Sequence, residues 1–160
     1  MDLPLLADAV VVQQQPNTLS VLIVGETPVN LSFFGVPKLF SLNAPDQVQD
    51  NGLKIASLLD LAATKVAVVQ VRAEAKDYLD IDALVTLSNI DLPTALAAAC
   101  ALYGPAFNPQ ATLKALSYFE DGNVGTLLAA TRERLATAAR RVDLEKLPTL
   151  HGLRHTGSQT

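Results

Sequence analysis

The residues able to do chemistry gather in one stretch of this chain. Between Ser57 and Leu87 lie Lys65, Arg72, Lys76, Asp77 and Asp80, a mixed-charge cluster inside an otherwise apolar run. Lys65 and Arg72 are seven residues apart, so on one continuous helix they share a face, two turns apart. Lys76 follows Arg72 by four and Asp80 follows Asp77 by three, spacings that bring helical side chains together. Two cations facing two carboxylates can line a cleft for an anionic substrate such as a nucleoside triphosphate, because ammonium and guanidinium groups hold phosphate oxygens. The same residues can also serve structure alone. Long basic stems lie along apolar surface with their heads in water, and Arg72 can simply pair with Asp77 or Asp80.

Positioning these charges is the task of the surrounding elements. Ser57 and Asp60 have the S-x-x-D spacing of a helix start. The hydroxyl can accept from the amide three residues on, and the carboxylate can reach back to the cap at the positive helix end. From Leu58 to Val71 the chain is apolar on nearly every side, the pattern of a buried helix. Leu58, Leu61, Ala62, Val66 and Val69 are therefore expected in the core, and truncating Leu58 or Leu61 to alanine should cost about 2–5 kcal/mol.

The same stretch carries a resemblance. Ala56, Ser57, Leu58, Asp60, Leu61, Ala62, Ala63, Lys65, Ala67, Arg72, Lys76, Asp77, Tyr78 and Asp80 recur at the offsets of a known signature. It resembles that of the nucleotidyltransferases of the abortive-infection AbiEii toxin type. Weaker similarity extends from about Val10 to Pro148, including the segments around Gln13–Leu19 and Val29–Gly35. Such proteins often carry a glycine after the arginine, ending the helix; here Ala73 stands in that place. The resemblance implies Mg²⁺-dependent transfer of a nucleotide from a nucleoside triphosphate to an RNA or protein acceptor, and a cognate antitoxin as partner. It implies that Lys65 contacts triphosphate oxygens, with Arg72 and Lys76 near the nucleotide, and that Asp77 or Asp80 orients the site as catalytic carboxylates.

One part of that family's equipment is missing from these 160 residues. A Gly-Ser strand-to-helix turn followed by Asp-x-Asp would bring backbone amides to phosphates and hold the metal. The Gly-Ser of this chain is Gly157-Ser158, near its end. Asp80 and Asp82 have the D-x-D spacing, but on a helix they point about 200° apart and cannot grip one ion. The expectation is the C-terminal part of such an enzyme, truncated and inactive alone. A non-enzymatic remnant acting as a binding or regulatory partner is the alternative.

The rest of the chain bounds these readings. It is 49% hydrophobic and 18% charged, as folded domains are, with a net charge of −4 that offers no broad basic face for DNA. The lone Cys100 reads as a small hydrophobe of a reduced, cytoplasmic protein. No apolar run reaches the ~18 residues of a membrane span, and the start lacks the pattern of a secretion signal.

In order, residues 1–8 are a lead-in. Strands over 9–15, 18–25 and 29–34 joined by short turns predict an antiparallel meander. Residues 37–52 read as a loop and 53–55 as a brief strand. Helices come next over 76–87, 92–103 (Asp91 cap, Gly104 stop), 110–119 (Asn108 cap) and 126–141 (Thr126 cap). Arg132, Glu133, Arg134, Arg140 and Arg141 read as a solvated face. The fold class is thus α+β, a meander of three to four strands followed by about five helices, part of a nucleotidyltransferase-like fold. Residues 1–56 are assigned to the β-rich remnant of the sheet, 57–148 to the helical part and 149–160 to a flexible tail. His151 and His155, with no carboxylate or cysteine cluster nearby, are not expected to hold a metal.

Overall fold

The computed structural model describes residues 8–35 and 40–151. The lead-in up to residue 7, the segment 36–39, His155 and the tail beyond His151 lie outside the described residues. The chain divides into two compact units, one ending at Leu39 and the other starting at Phe40.

The first unit is the expected meander, with the order β1 (Val10–Gln15), β2 (Thr18–Ile23), β3 (Val29–Phe34), all antiparallel. Gln15 pairs with Thr18 across the two-residue Pro16-Asn17 turn, and the ladder slips between Val11 and Gln13, where Val12 is the extra residue of a bulge. The register puts Val11, Val21 and Leu31 abreast on one face, and Ser20 and Ser32 on the other with their hydroxyls 2.8 Å apart. The second strand stops at Ile23, short of Gly25.

The second unit begins with a pair of two-residue strands, β4 (Asp46–Gln47) and β5 (Lys54–Ile55). This corrects the loop expected over 37–52. Gly52, at φ +69°, allows the tight return, and Val48 donates to the Leu53 carbonyl at 2.9 Å. Five helices follow: α1 (Leu58–Val68), α2 (Ala75–Leu87), α3 (Leu92–Tyr103), α4 (Pro109–Ala115) and α5 (Ala129–Arg140). Short 3₁₀ turns lie at Gly104–Ala106, Val124–Thr126 and Leu144–Lys146.

The core sits where α1, α2 and α3 meet. Ala62, Ala63 and Val66 of α1 are buried together with Ala95, Leu96, Ala98 and Ala99 of α3, and these small side chains let the two helices approach closely. Tyr78 and Ile81 of α2 complete it, with Leu116, Val124 and Leu135 from the later segments. Helix α3 has the expected ends: Asp91 accepts from Thr94 N–H at 2.9 Å, and Gly104 takes φ +54°. Cys100 packs at the core edge, only partly buried, and burial pushes its thiol above the ordinary value.

Four expectations fail for identifiable reasons. First, Leu58 is 53% and Leu61 36% exposed. They share the stripe of Lys65 at i, i+3 and i+7, so the lysine marks the outward face and the alanines and valines the inward one. Second, α1 ends at Val68, before Arg72, which therefore lies in the α1–α2 linker and not two turns along one helix. Amides 70 and 71 bond three residues back, to Ala67 and Val68. Thr112 Oγ1 donates to the Val66 carbonyl at 2.7 Å, the acceptor Gln70 N–H would have used had the helix continued. Third, α4 stops at Ala115 and α5 starts at Ala129, with Leu128 at its cap. Thr126 lies in the preceding 3₁₀ turn, where its hydroxyl donates to the Asn123 carbonyl at 2.6 Å. Fourth, the helix start at Ser57 is only half reciprocal. Ser57 Oγ accepts from Asp60 N–H at 3.2 Å, but the buried Asp60 carboxylate takes the amides of Leu42 and Asn43 at 2.7 and 3.2 Å, plus the Ser57 hydroxyl at 2.6 Å. It ties the segment before β4 to the head of α1.

Candidate functional site

The linker between α1 and α2 is held from outside. Asn123 accepts the first amide of α2, from Ala75, on its side-chain oxygen at 2.6 Å and donates its own N–H to the Ala73 carbonyl at 3.3 Å. Gly122, at φ +51°, makes this approach feasible, since a Cβ there would lie 2.0 Å from the Ala73 oxygen. With Glu74 giving no side-chain cap, Asn123 serves as the cap of α2 from a distant loop. Gln70 is fixed by donating to the Asn108 carbonyl at 3.0 Å and to Thr112 Oγ1 at 2.8 Å.

So fixed, the linker turns Arg72 back onto α2, where it meets Lys65. Asp77 is the centre: its side chain is 0% exposed and each oxygen takes a cation. Lys65 Nζ donates to Oδ1 at 3.0 Å; Arg72 Nε donates to Oδ2 at 2.9 Å and its Nη2 to Oδ1 at 3.3 Å. Lys65, 21% exposed, is shared with Asp80, 49% exposed, whose Oδ2 lies 2.6 Å from Nζ. The expected convergence of Lys65 and Arg72 on the α2 carboxylates is present, by a turn and not along a helix.

Lys76 is not brought onto Asp77 or Asp80; its ammonium lies 2.9 Å from Glu74, which also faces Arg72 at 3.6 Å. Glu74 is the member that spacing rules missed, though it stands in the charge run between Arg72 and Lys76. The network thus sets Lys65, Arg72 and Lys76 against Glu74, Asp77 and Asp80 and is neutral as a whole.

Protonation follows from these contacts. Burial alone would raise the Asp77 carboxyl, but the hydrogen bonds from Arg72 and Lys65 outweigh it and hold the group below the usual aspartate value. Burial alone would lower Lys65, and the bonds to Asp80 and Asp77 outweigh it, holding the ammonium above its ordinary value. Arg72 is held up chiefly by its bond to Asp77, and Glu74 is held down chiefly by Lys76.

Asp82, the second member of D-x-D, points elsewhere as its spacing predicts. Arg134 of α5 clamps it with two donors, Nε at 2.9 Å from Oδ1 and Nη2 on Oδ2, and Nη2 also reaches Thr131 Oγ1 at 3.1 Å. Arg134 is thus an α2–α5 tie as well as part of a solvated face, whereas Arg140 does pair on that face with Glu133, at 3.2 Å. The residues do not fit a magnesium ion. No group of three or more His, Cys, Asp or Glu among the described residues is arranged for a metal, and the D-x-D carboxylates are committed to cations on different helices.

Two concavities flank the network. A groove of about 500 Å³ between α1 and α2 is walled by Leu58, Leu61, Leu84 and Leu87, with Lys65 and Asp80 at its edge. A second cleft, about 300 Å³, opens on the other cation, Arg72, beside α4. The arrangement can hold an anion at Lys65 next to an apolar wall.

Among the described residues no single helix is long and apolar enough to cross a membrane. No curated protein and no solved structure matches the chain. A family model does, over residues 26–150, and it spans the whole Lys65–Asp77–Asp80 network. The chain belongs to the family of the nucleotidyl transferase AbiEii toxin of type IV toxin–antitoxin systems.

Proposed function

We propose that the Lys65 groove is the nucleotide-holding half of a nucleotidyltransferase site. The observation that carries this reading is the asymmetry of the two carboxylates on Lys65. Asp77 is buried and bound on both oxygens, whereas Asp80 is half exposed and, among the described residues, held by Lys65 alone. A triphosphate oxygen can replace Asp80 at Nζ without disturbing Asp77, so an anion exchanges for an anion in a site that stays intact. Asp77 is then a positioning residue for Lys65 and Arg72, Lys65 contacts the triphosphate, and the base lies along Leu58, Leu61 and Leu87. Asp80, once released, faces the acceptor. Arg72 steadies the same end of the site, with Lys76 at its outer rim through Glu74.

In the family chemistry an acceptor hydroxyl oxygen bonds to the α-phosphorus, the bond from that phosphorus to the bridging oxygen breaks, and pyrophosphate leaves with the hydroxyl proton released. The acceptor is an RNA end or a protein, and a cognate antitoxin is the genetic counterpart of such a toxin. Metal would supply charge neutralisation on the phosphates. Because no carboxylate set among the described residues fits it, we assign that task to a segment carrying the Gly-Ser and Asp-x-Asp elements. On this reading the described residues supply triphosphate binding, and transfer is expected only with that segment. The neutrality of the network favours a second reading, a binding or regulatory partner with no role in transfer.

Titration of the chain with labelled ATP at low salt tests the first reading. Saturable binding is expected, weakening as salt rises, lowered about tenfold or more by Lys65→Ala and tightened by Asp80→Asn, which removes the competing anion. Incubation with labelled nucleoside triphosphates, Mg²⁺ and cellular RNA and protein should give no incorporation until the aspartate-bearing segment is joined to the chain. Binding indifferent to Lys65 favours the second reading.

A further inference from the structure

The cleft of about 300 Å³ beside α4 is separate from the Lys65 groove, and its chemistry is distinct. It is lined by Arg72 and Ala73 of the linker, Tyr78 of α2, Lys114 of α4, and Tyr118 and Asp121 beyond α4. Its volume lies at the lower end of small-molecule pockets, about 300–1,000 Å³.

Two cations reach it with donors to spare. Lys114 makes no ion pair with any described residue. Arg72 commits Nε and Nη2 to Asp77, but among the described residues Nη1 has only Glu74 at 3.6 Å, beyond hydrogen-bond reach. Beside them stands Tyr118, which lines the cleft, is more than half exposed and makes no side-chain hydrogen bond among the described residues. Tyr78, by contrast, is buried, gives its hydroxyl to the Ala115 carbonyl at 3.3 Å and packs edge-on to Phe119 with centroids 6.2 Å apart. It is the floor. At the mouth, Asp121 accepts the Gly122 amide on Oδ1 at 2.8 Å, leaving Oδ2 to accept from a ligand. The walls are rigid: Gln70 and Thr112 lock the linker to α4, and the Gly122–Asn123 turn locks its far side.

We propose that this cleft binds a nucleoside monophosphate unit, with its phosphate between Lys114 and Arg72, its base against Tyr118 and a base N–H on Asp121. A cation pair asks for an anion, an exposed ring asks for a flat partner, and the single carboxylate selects a ring that carries N–H donors. Free phosphate satisfies only the first of these and an apolar aromatic only the second. The unit comes either as a free nucleotide or as the terminal nucleotide of an RNA; the cleft shares Arg72 with the triphosphate reading at Lys65 but has a lining of its own and does not rest on that reading.

The test is amide NMR on the whole 17.0 kDa chain, titrated separately with AMP, adenosine, inorganic phosphate and an oligoribonucleotide ending in a 3′ adenosine monophosphate. AMP should move the resonances of Ala111, Lys114 and Tyr118 in a saturable way while leaving Leu58, Leu61 and Leu87 still. Adenosine and phosphate should each bind at least tenfold more weakly. Lys114→Ala and Tyr118→Ala should each weaken AMP about fivefold or more with no change in melting temperature, and Arg134→Ala, on the far tie to Asp82, should leave this binding unchanged. Equal or tighter binding of the oligonucleotide at the same resonances identifies an RNA end as the source, and binding of AMP alone identifies the free nucleotide. Phosphate binding as tightly as AMP, AMP shifts confined to the Leu58–Leu87 groove, or no saturable shift at all would each overturn the proposal.

Discussion

Asp77 and Asp82 lie on the same helix, each is clamped by arginine, and they do different things. Asp82 meets one partner side chain from one distant helix, Arg134 of α5, and both its oxygens are used in that fork. Neither Asp82 nor Arg134 lines either of the two concavities that flank the Asp77 network. Asp77 meets two cations from the other side, and each of those has business elsewhere: Lys65 with the half-exposed Asp80, Arg72 with Glu74 and an open cleft. A tie between helices needs one good geometry. A site needs groups held firmly at one end and exchangeable at the other, which is the role we propose for Lys65, between buried Asp77 and half-exposed Asp80. Ion pairing by itself does not separate the two cases; surplus donors beside a concavity do.

The sharpest way to break this contrast is to remove the shared anion. Asp77→Asn leaves Lys65 and Arg72 without their buried partner and should destabilise the helical unit by about 3 kcal/mol in urea unfolding, the lower end for a broken buried pair because both cations can still reach water. The acid limb of stability should change with it. The folded-state carboxyl of Asp77 titrates below its unfolded value, so its stabilisation is complete above about pH 4 and is lost as pH falls through the folded value. Lys65 works in the opposite sense: its folded value is raised, so its share persists up to about pH 10 and fades above it. Wild type should therefore lose stability on acidification more steeply than Asp77→Asn. Equal acid limbs in the two proteins would sink the assignment of Asp77 as the anchor.

Next in size is the support behind the cluster. Gly122→Ala puts a methyl 2.0 Å from the Ala73 oxygen at a positive φ, so the 121–123 turn must lift off the linker. The expected cost is about 2 kcal/mol, together with weaker ATP binding through a displaced Arg72. Full ATP affinity despite that loss of stability would mean that the turn stabilises the fold without positioning the site. By contrast Arg134→Ala removes a clamp whose cation stands half in water, where solvent screens the pair. It should lower stability less than Gly122→Ala does and leave ATP affinity unchanged. A fall in affinity would erase the distinction between the two carboxylates.

The sequence carries more of the site than of the packing around it. Local signals read well: Asp91, Pro93 and Gly104 delimit α3 because caps and glycine stops act within a turn of where they stand. Lys65, Asp77 and Asp80 are identifiable from spacing and family resemblance, and they do meet. Arg72 reaches Asp77 by a different route from the one its spacing implies, because Thr112, on a helix far along the chain, takes the Val66 carbonyl where the first helix ends. Arg134 on Asp82, Asp60 on the amides of Leu42 and Asn43, and Gly122 against Ala73 are contacts between distant segments. No periodicity encodes them. The outward turn of Leu58 and Leu61 is different: Lys65 stands on their stripe and could have revealed it.

That stripe supplies the smallest effect and the finest test. A leucine at the core of this unit, such as Leu96, is fully buried, whereas Leu58 is half in water. Truncation removes apolar area from water only in proportion to what was covered, so Leu58→Ala should cost under about 1 kcal/mol, a fraction of what Leu96→Ala costs. If Leu58 and Leu61 were core residues the two truncations would cost alike. An exposed leucine beside a lysine is also what a ligand's flat ring would cover. The double variant Leu58→Ala, Leu61→Ala should thus weaken ATP several-fold more than it weakens inorganic triphosphate, because only ATP has a base to lay on the groove. Equal losses for both ligands would mean that Lys65 holds phosphate while the leucines hold nothing, and the groove would then drop out of the site, leaving the cations around Asp77 as all of it.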